Sequence, residues 1–393
     1  MKSTAKKRPA AASKRRAQAP VAALFLRRAG LGTLLEALRA RGFEVIGPSV
    51  HDGAVVYRPI ESADALPTGW HAEQAPGRYT LQRDASPRQF AWANGPQALK
   101  PLFFAPRESL WRTTRDANGR LAFEAVAPRA RPVAVIGARG CDLAALRLQD
   151  AHFLKGDDID AHYAARRAST FIVAVDCSHP ADTCFCVSTG DGPTADAGFD
   201  IALAELDDGF IARAGSERGG ELLATLQLKP AATAQVRAAA TQADHARAQQ
   251  TRTLPSRDLR EALFARLDHP QWDDVASRCL ACGNCVAVCP TCFCSREGED
   301  AELAGDQSTH VREWDSCFTS LHGYIHGMQT RPDVRARYRQ WLTHKLGGWH
   351  EQYGRSGCVG CGRCIAWCPV GIDLTAEVAA LMKPEPKPEA KPE

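Results

Sequence analysis

The sequence predicts an α+β protein: an N-terminal α/β domain with a mixed sheet, followed by a mainly helical domain that holds most of the cysteines. Three observations carry this. Two short apolar runs, 132–136 (PVAVI) and 171–175 (FIVAV), bracket a loop and a helical stretch, and strand, loop, helix, strand is an α/β arrangement. Eleven of the fifteen cysteines fall between Cys279 and Cys368, and none occurs before Cys141. Between these regions, 229–259 is rich in Ala, Arg and Gln and reads as a helical linker, with a break at Thr253-Leu-Pro-Ser.

In chain order, residues 1–20 carry seven Lys/Arg and no acid, without apolar periodicity, and read as a disordered basic tail. Arg15-Arg16 raises the question of twin-arginine export, but the apolar stretch after it is short and is interrupted by Arg27-Arg28, so the cytoplasm is the expected location. Residues 22–41 show helical spacing at Leu31, Leu34, Leu35 and Leu38 and end before Gly42. Short β-like runs follow at 43–46, 54–59, 79–81 and 121–125. The run 132–136 enters the loop Gly137-Ala-Arg-Gly-Cys-Asp142 and a helix over 143–154, and the run 171–175 leads into Asp176-Cys177. The expected division is an α/β domain over 21–228, the linker 229–259, a cysteine-rich domain over 260–382, and a disordered Lys-Pro-Glu tail over 383–393.

With 393 residues, 45% of them apolar and 24% charged, the chain is long enough for a sizeable core. No apolar run approaches the ~18 residues of a membrane span. The formal charge of +4 comes from the tails: without 1–20 and 383–393 the body has 39 basic and 42 acidic residues, which argues against a nucleic-acid partner. An odd cysteine count in so long a chain also excludes a fully paired disulfide scaffold.

Cys279-x2-Cys282-x2-Cys285-x3-Cys289-Pro290 and Cys358-x2-Cys361-x2-Cys364-x3-Cys368-Pro369 have identical spacing, the pattern of bacterial [4Fe–4S] ferredoxins. Three thiolates on a tight loop can wrap three corners of a cubane, Gly283 and Gly362 let the backbone come close, and the proline stops the turn that carries the fourth cysteine. In two-cluster ferredoxins that fourth cysteine serves the other cluster. The expected sets are therefore Cys279, Cys282, Cys285 and Cys368 around one cluster, and Cys358, Cys361, Cys364 and Cys289 around the other, with 290–357 as an insertion in a split ferredoxin-like module. Structural zinc, as in a zinc-stapled interaction scaffold, usually pairs two C-x2-C units further apart and does not need a third cysteine in one loop.

Cys141 opens a predicted helix, Cys177 ends a predicted strand, and Cys184 and Cys186 follow in Thr-Cys-Phe-Cys, a string that recurs at 291–294. A helix N-terminus favours thiolate, so these four could hold a third cluster; the alternative is a set of buried, inert thiols. Cys292, Cys294 and Cys317 lack an obvious fourth thiolate: the readings are an alternative ligand set, a site completed by another residue type or a partner, or, the preferred one, a packed layer over the first cluster. The loop 137–142 lacks the G-x-G-x-x-G fingerprint and reads as an ordinary strand-to-helix turn. His322 and His326 lack the acid of H-E-x-x-H and read as surface or core histidines. Arg331, Arg335, Arg337, Arg339 and Lys345, interleaved with Tyr338 and Trp341, suggest a docking face for an acidic partner or a solvated helix. No catalytic triad or carboxylate pair stands out. A reductase site built on N-terminal thiols remains the competing enzymatic reading.

The strings Gly137-Ala-Arg-Gly-Cys-Asp-Leu, Asp176-Cys-Ser-His-Pro-Ala-Asp-Thr-Cys-Phe-Cys186, 278–294, Trp314-Asp-Ser-Cys-Phe318, Arg337-Tyr-Arg, His344-Lys and 353–364 occur in that order. Together they resemble the beta subunits of soluble sulfhydrogenase-type [NiFe] hydrogenases and the corresponding iron–sulfur subunits of anaerobic sulfite reductases. The resemblance implies a non-catalytic electron-transfer subunit with [4Fe–4S] clusters. Its implied partners are a hydrogenase or reductase catalytic module and a flavoprotein NAD(P)H-oxidoreductase subunit. It carries the ligand roles onto the eight cysteines of the two runs.

Overall fold

The computed structural model describes residues 23–97, 99–255 and 258–383. The two tails expected to be disordered lie outside the described residues, apart from Lys383.

The core is a mixed eight-stranded sheet with the spatial order Lys229–Pro230, Leu24–Arg27, Gly209–Ala214, Ile201–Glu205, Thr170–Val175, Val133–Ala138, Glu44–His51 and Ala54–Pro59. The two apolar runs are neighbouring central strands, paired in parallel. Parallel pairs extend to Glu44–His51 on one side and Ile201–Glu205 on the other, and antiparallel pairs close both ends. Every residue of Thr170–Val175 is buried, as expected of a parallel strand covered on both faces. Alternate residues sort accordingly. Ala134, Ile136, Phe171 and Val173 pack in one core with Leu31, Leu34, Leu35 and Leu38 of the helix Gly30–Ala40. Val135, Ala138, Ile172 and Ala174 pack in another with Leu143 and Leu146 of the helix Gly140–Phe153.

The stretch 22–41 is not one helix. Leu24–Arg27 forms a strand between Gly209–Ala214 and Lys229–Pro230, and the helix starts only at Gly30. At the junction, Arg28 Nη1 donates to Glu205 Oε1 at 2.8 Å and its Nε to the Asp207 carbonyl at 3.2 Å, which holds the chain down as it turns. Leucine spacing reported the helix correctly; sheet pairing claimed the residues before it.

A four-stranded antiparallel sheet runs Ser295–Ala301, Gln307–Trp314, Arg107–Arg115, Leu121–Ala125. It crosses the division expected between 21–228 and 260–382, because part of the insertion 290–357 is a hairpin that continues an N-terminal sheet. Glu108 fastens this junction by accepting hydrogen bonds from Arg166 and from Arg312, the latter at 2.8 Å. The helices Arg260–Phe264, Gln271–Arg278, Val334–Thr343 and Leu374–Leu381 bury Leu263, Trp272, Tyr338, Trp341 and Val378 in one core together with the cysteine loops. The basic run does not form a free docking face. Tyr338 and Trp341 are buried, Arg337 and Arg339 donate to the carbonyls of Phe318, Arg331 and Leu267, and Lys345 is buried.

Candidate metal centres

Equal cysteine spacing produces equal backbone. Gly283 (φ +77°) and Gly362 (φ +72°) each take the left-handed conformation and open a one-turn helix, Asn284–Ala287 and Arg363–Ala366. Cys279 caps the helix Gln271–Arg278, so the first loop hangs from a helix end, whereas the second follows Gly357, whose amide donates to the Lys345 carbonyl at 2.8 Å.

Cys279, Cys282 and Cys285 line a cavity with Cys368 from the other run, under Phe318, Tyr338 and Trp341; Cys364 also reaches it. Burial pushes the Cys279 and Cys285 thiols up, and the neighbouring Cys368 adds to this. In the other set, burial raises Cys358 to about 12 and Cys364 well above the ordinary thiol range, with Cys289 contributing at both. Cys289 itself is held well below that range, by a hydrogen bond from the Cys292 thiol and by the buried Lys345 ammonium. The structure thus brings three thiols of each run next to the last thiol of the other. Dense, buried thiols of this kind fit a sulfide-bridged cluster, which needs their thiolates and a dry shell.

Cys141, Cys177, Cys184 and Cys186 line a second cavity, with Asn94, Arg139, Gln250 and Cys361. The helix N-terminus does not depress Cys141 as expected: burial, then the adjacent Asp142, drive its thiol well above the usual range. Burial likewise raises Cys184, and raises Cys186 to about 12. The stretch expected as a loop over 137–142 is a tighter strand-to-helix junction, since the strand runs to Ala138 and the helix begins at Gly140, and it is also a clamp. Arg139 donates to the Phe90 and Trp92 carbonyls at 2.7 and 2.9 Å, and Asp142 accepts from the fully buried Arg363 at 2.9 Å.

This second cavity adjoins the second ferredoxin-type loop directly. A Cβ on Gly360 would lie 2.5 Å from the Cys186 amide nitrogen, and one on Gly362 would lie 2.4 Å from the Thr183 carbonyl. Phe185 donates its amide to the Gly360 carbonyl at 2.8 Å, and Asn94 Nδ2 donates to the Cys361 carbonyl at 3.2 Å. Only glycine permits so flush a contact, so Gly360 and Gly362 bring the backbone close to the loop 183–186.

The remaining trio packs in the same core as the cysteine loops, and its thiols also have polar partners there. Cys292 hydrogen-bonds to Cys289, while Cys294 Sγ lies 3.6 Å from Cys317 Sγ with His322 beside them. His322 is half-buried between nearby Asp315 and Cys317 and distant Cys294, a grouping that spacing to His326 does not show; His326 is exposed.

Residues 278–372 match the family described as 4Fe-4S dicluster domain. Loops, cavities and family together define an iron–sulfur electron-transfer protein that carries two [4Fe–4S] clusters. The chain is 31% identical over 283 residues to sulfhydrogenase 2 subunit beta of Pyrococcus furiosus, a match covering 70% of this chain and 79% of that protein. It belongs to the family of sulfhydrogenase-type beta subunits, in line with the resemblance read from its motifs. No solved structure matches it.

Proposed function

We propose that the chain is the electron-relay subunit of a multisubunit oxidoreductase, passing electrons between a catalytic module such as a [NiFe] hydrogenase and a flavoprotein NAD(P)H subunit. The name of its relative supports the hydrogenase-type complex. The observation that carries the relay is the succession of three thiol sets in contact: Cys141, Cys177, Cys184 and Cys186; then Cys358, Cys361, Cys364 and Cys289; then Cys279, Cys282, Cys285 and Cys368. Clusters held there would supply single-electron transfer. The chain's own residues set the spacing. Gly360 and Gly362 press the first two sets together, and Cys364, which also lines the cavity of the third set, links the last two.

At one end of this succession Cys282 is exposed beside Leu280, itself 65% exposed, which offers a partner access to the relay. No helix among the described residues is long and apolar enough to cross a membrane; clusters held by thiolates, as proposed, fit a cytoplasmic, reducing location. Anaerobic iron and sulfide analysis tests the reading. About twelve of each per chain are expected, falling to about eight in Cys141→Ser and Cys184→Ser variants. Zinc without sulfide would refute it.

A further inference from the structure

We infer that Cys294, Cys317 and His322 hold a single tetrahedral zinc ion, separate from the three sulfur-rich sets of the relay. Their ligand atoms all lie within 4.8 Å of one another. The decisive distance is the 3.6 Å between Cys294 Sγ and Cys317 Sγ. Two thiolates on one tetrahedral ion with Zn–S bonds of about 2.3 Å sit about 3.8 Å apart. A cubane places its thiolates on different irons and holds them wider than that, so this pair fits a mononuclear ion.

The imidazole provides a second observation. His322 Nδ1 is engaged by Asp315 Oδ2 at 2.6 Å, and Asp315 Oδ1 is itself fixed by the Ser316 amide at 2.8 Å. The Asp315 side chain is only 8% exposed. A buried carboxylate on Nδ1 fixes the tautomer and leaves the lone pair of Nε2 available to a metal, the carboxylate–histidine–metal arrangement of zinc sites. Thiolate and imidazole donors select zinc over the oxygen-loving cations. Cys292 is engaged with Cys289 and lies outside this group, so a water or another oxygen donor would complete the tetrahedron.

The backbone explains why these residues meet. Ser295 pairs with Trp314 at the open end of the hairpin, and the Asp315 amide donates to the Cys294 carbonyl at 2.9 Å. An ion there would pin that end of the hairpin to 315–322, and Phe318 from the same stretch lines the first cysteine cavity. The ion is therefore structural: it shapes the wall of that cavity.

The test uses the full chain purified anaerobically, with metal analysis by mass spectrometry and zinc K-edge X-ray absorption, which is blind to iron. About one zinc per chain is expected, with sulfur neighbours at about 2.3 Å and a nitrogen neighbour near 2.0 Å. Cys294→Ser and His322→Ala should lose the zinc with sulfide content unchanged, His322→Cys should keep it, and Asp315→Asn should weaken zinc binding about 10–100-fold. Substoichiometric zinc in the wild-type chain would overturn the inference. So would zinc that persists in both ligand variants, or a Cys294–Cys317 disulfide in the intact protein. Sulfide content reports on the relay and zinc on this site, so the failure of one is distinguishable from the failure of the other.

Discussion

Lys345 is a buried cation among thiols. Its Nζ donates to Thr291 Oγ1 at 2.9 Å and lies 4.4 Å from the centre of the Trp349 ring, and its charge acts on Cys289 and Cys292. A fixed positive charge favours the more negative, reduced state of a nearby centre. Lys345→Met should therefore shift the midpoint potential of the centre at Cys289 to more negative values, on the order of 50–100 mV for one charge at an effective dielectric near 20. Redox titration followed by electron paramagnetic resonance reads this; an unchanged potential would place that centre elsewhere. Arg363 is another buried cation, bonded to Asp142, to Asn94 Oδ1 at 3.1 Å and to the Gly95 carbonyl at 3.2 Å. Arg363→Leu strands Asp142 without its charge partner and should cost about 3–5 kcal/mol in denaturant unfolding. At this scale the eight loop cysteines were legible, because their spacing is the chemistry. The roles of His322 and Lys345 were not, because His322 meets Cys294, and Lys345 meets Cys289 and Cys292, only through tertiary folding.

Among the elements, those that bury a regular face were legible. Thr170–Val175 and the leucine helix Gly30–Ala40 show their burial as unbroken or periodic apolar residues. The hairpin strand Ser295–Ala301 (SREGEDA) did not, since nearly all of it is exposed and its pairing comes from the strand beside it. The basic helix Val334–Thr343 misled because its arginines reach carbonyls of this same chain. The closing helix Leu374–Leu381 is capped by Asp373, whose side chain accepts from the Thr375 amide at 2.9 Å and pairs with Arg252 at 2.7 Å. Burial opposes ionisation of Asp373, but the bonds from Thr375 and Arg252 outweigh it and hold the carboxyl below its usual range. A depressed folded value means that the ionised form contributes fully above the unfolded value near 4 and that this stability is lost as pH falls through the lower folded value. Asp373→Asn should thus be less stable than wild type by about 1 kcal/mol above pH 5, with the gap shrinking below about pH 4. Denaturant midpoints across that range check it, and a gap that widens in acid would contradict it.

Across the whole molecule, the sheet of the N-terminal half and the cysteine loops form one continuous structure. The turn at Gly77 donates to the Ile365 carbonyl at 3.0 Å, Tyr79 packs on Trp367, and Arg363 reaches Asp142. Cysteine distribution along the chain suggested two domains; it could not show that the four early cysteines face the late ones, because that contact depends on Gly360 and Gly362 meeting the loop 183–186. Gly360→Ala forces both a strained backbone and a clash with Phe185 and Cys186. It should remove roughly four irons, those of the early set, while leaving the other eight. The proposed relay has three cubane centres. Its most direct test is the iron and acid-labile sulfide content of the anaerobically purified chain, compared with Cys184→Ser. Three cubanes require about twelve of each in the wild type and about eight in the variant. Eight in both would contradict the third centre and leave a dicluster protein whose early cysteines are inert.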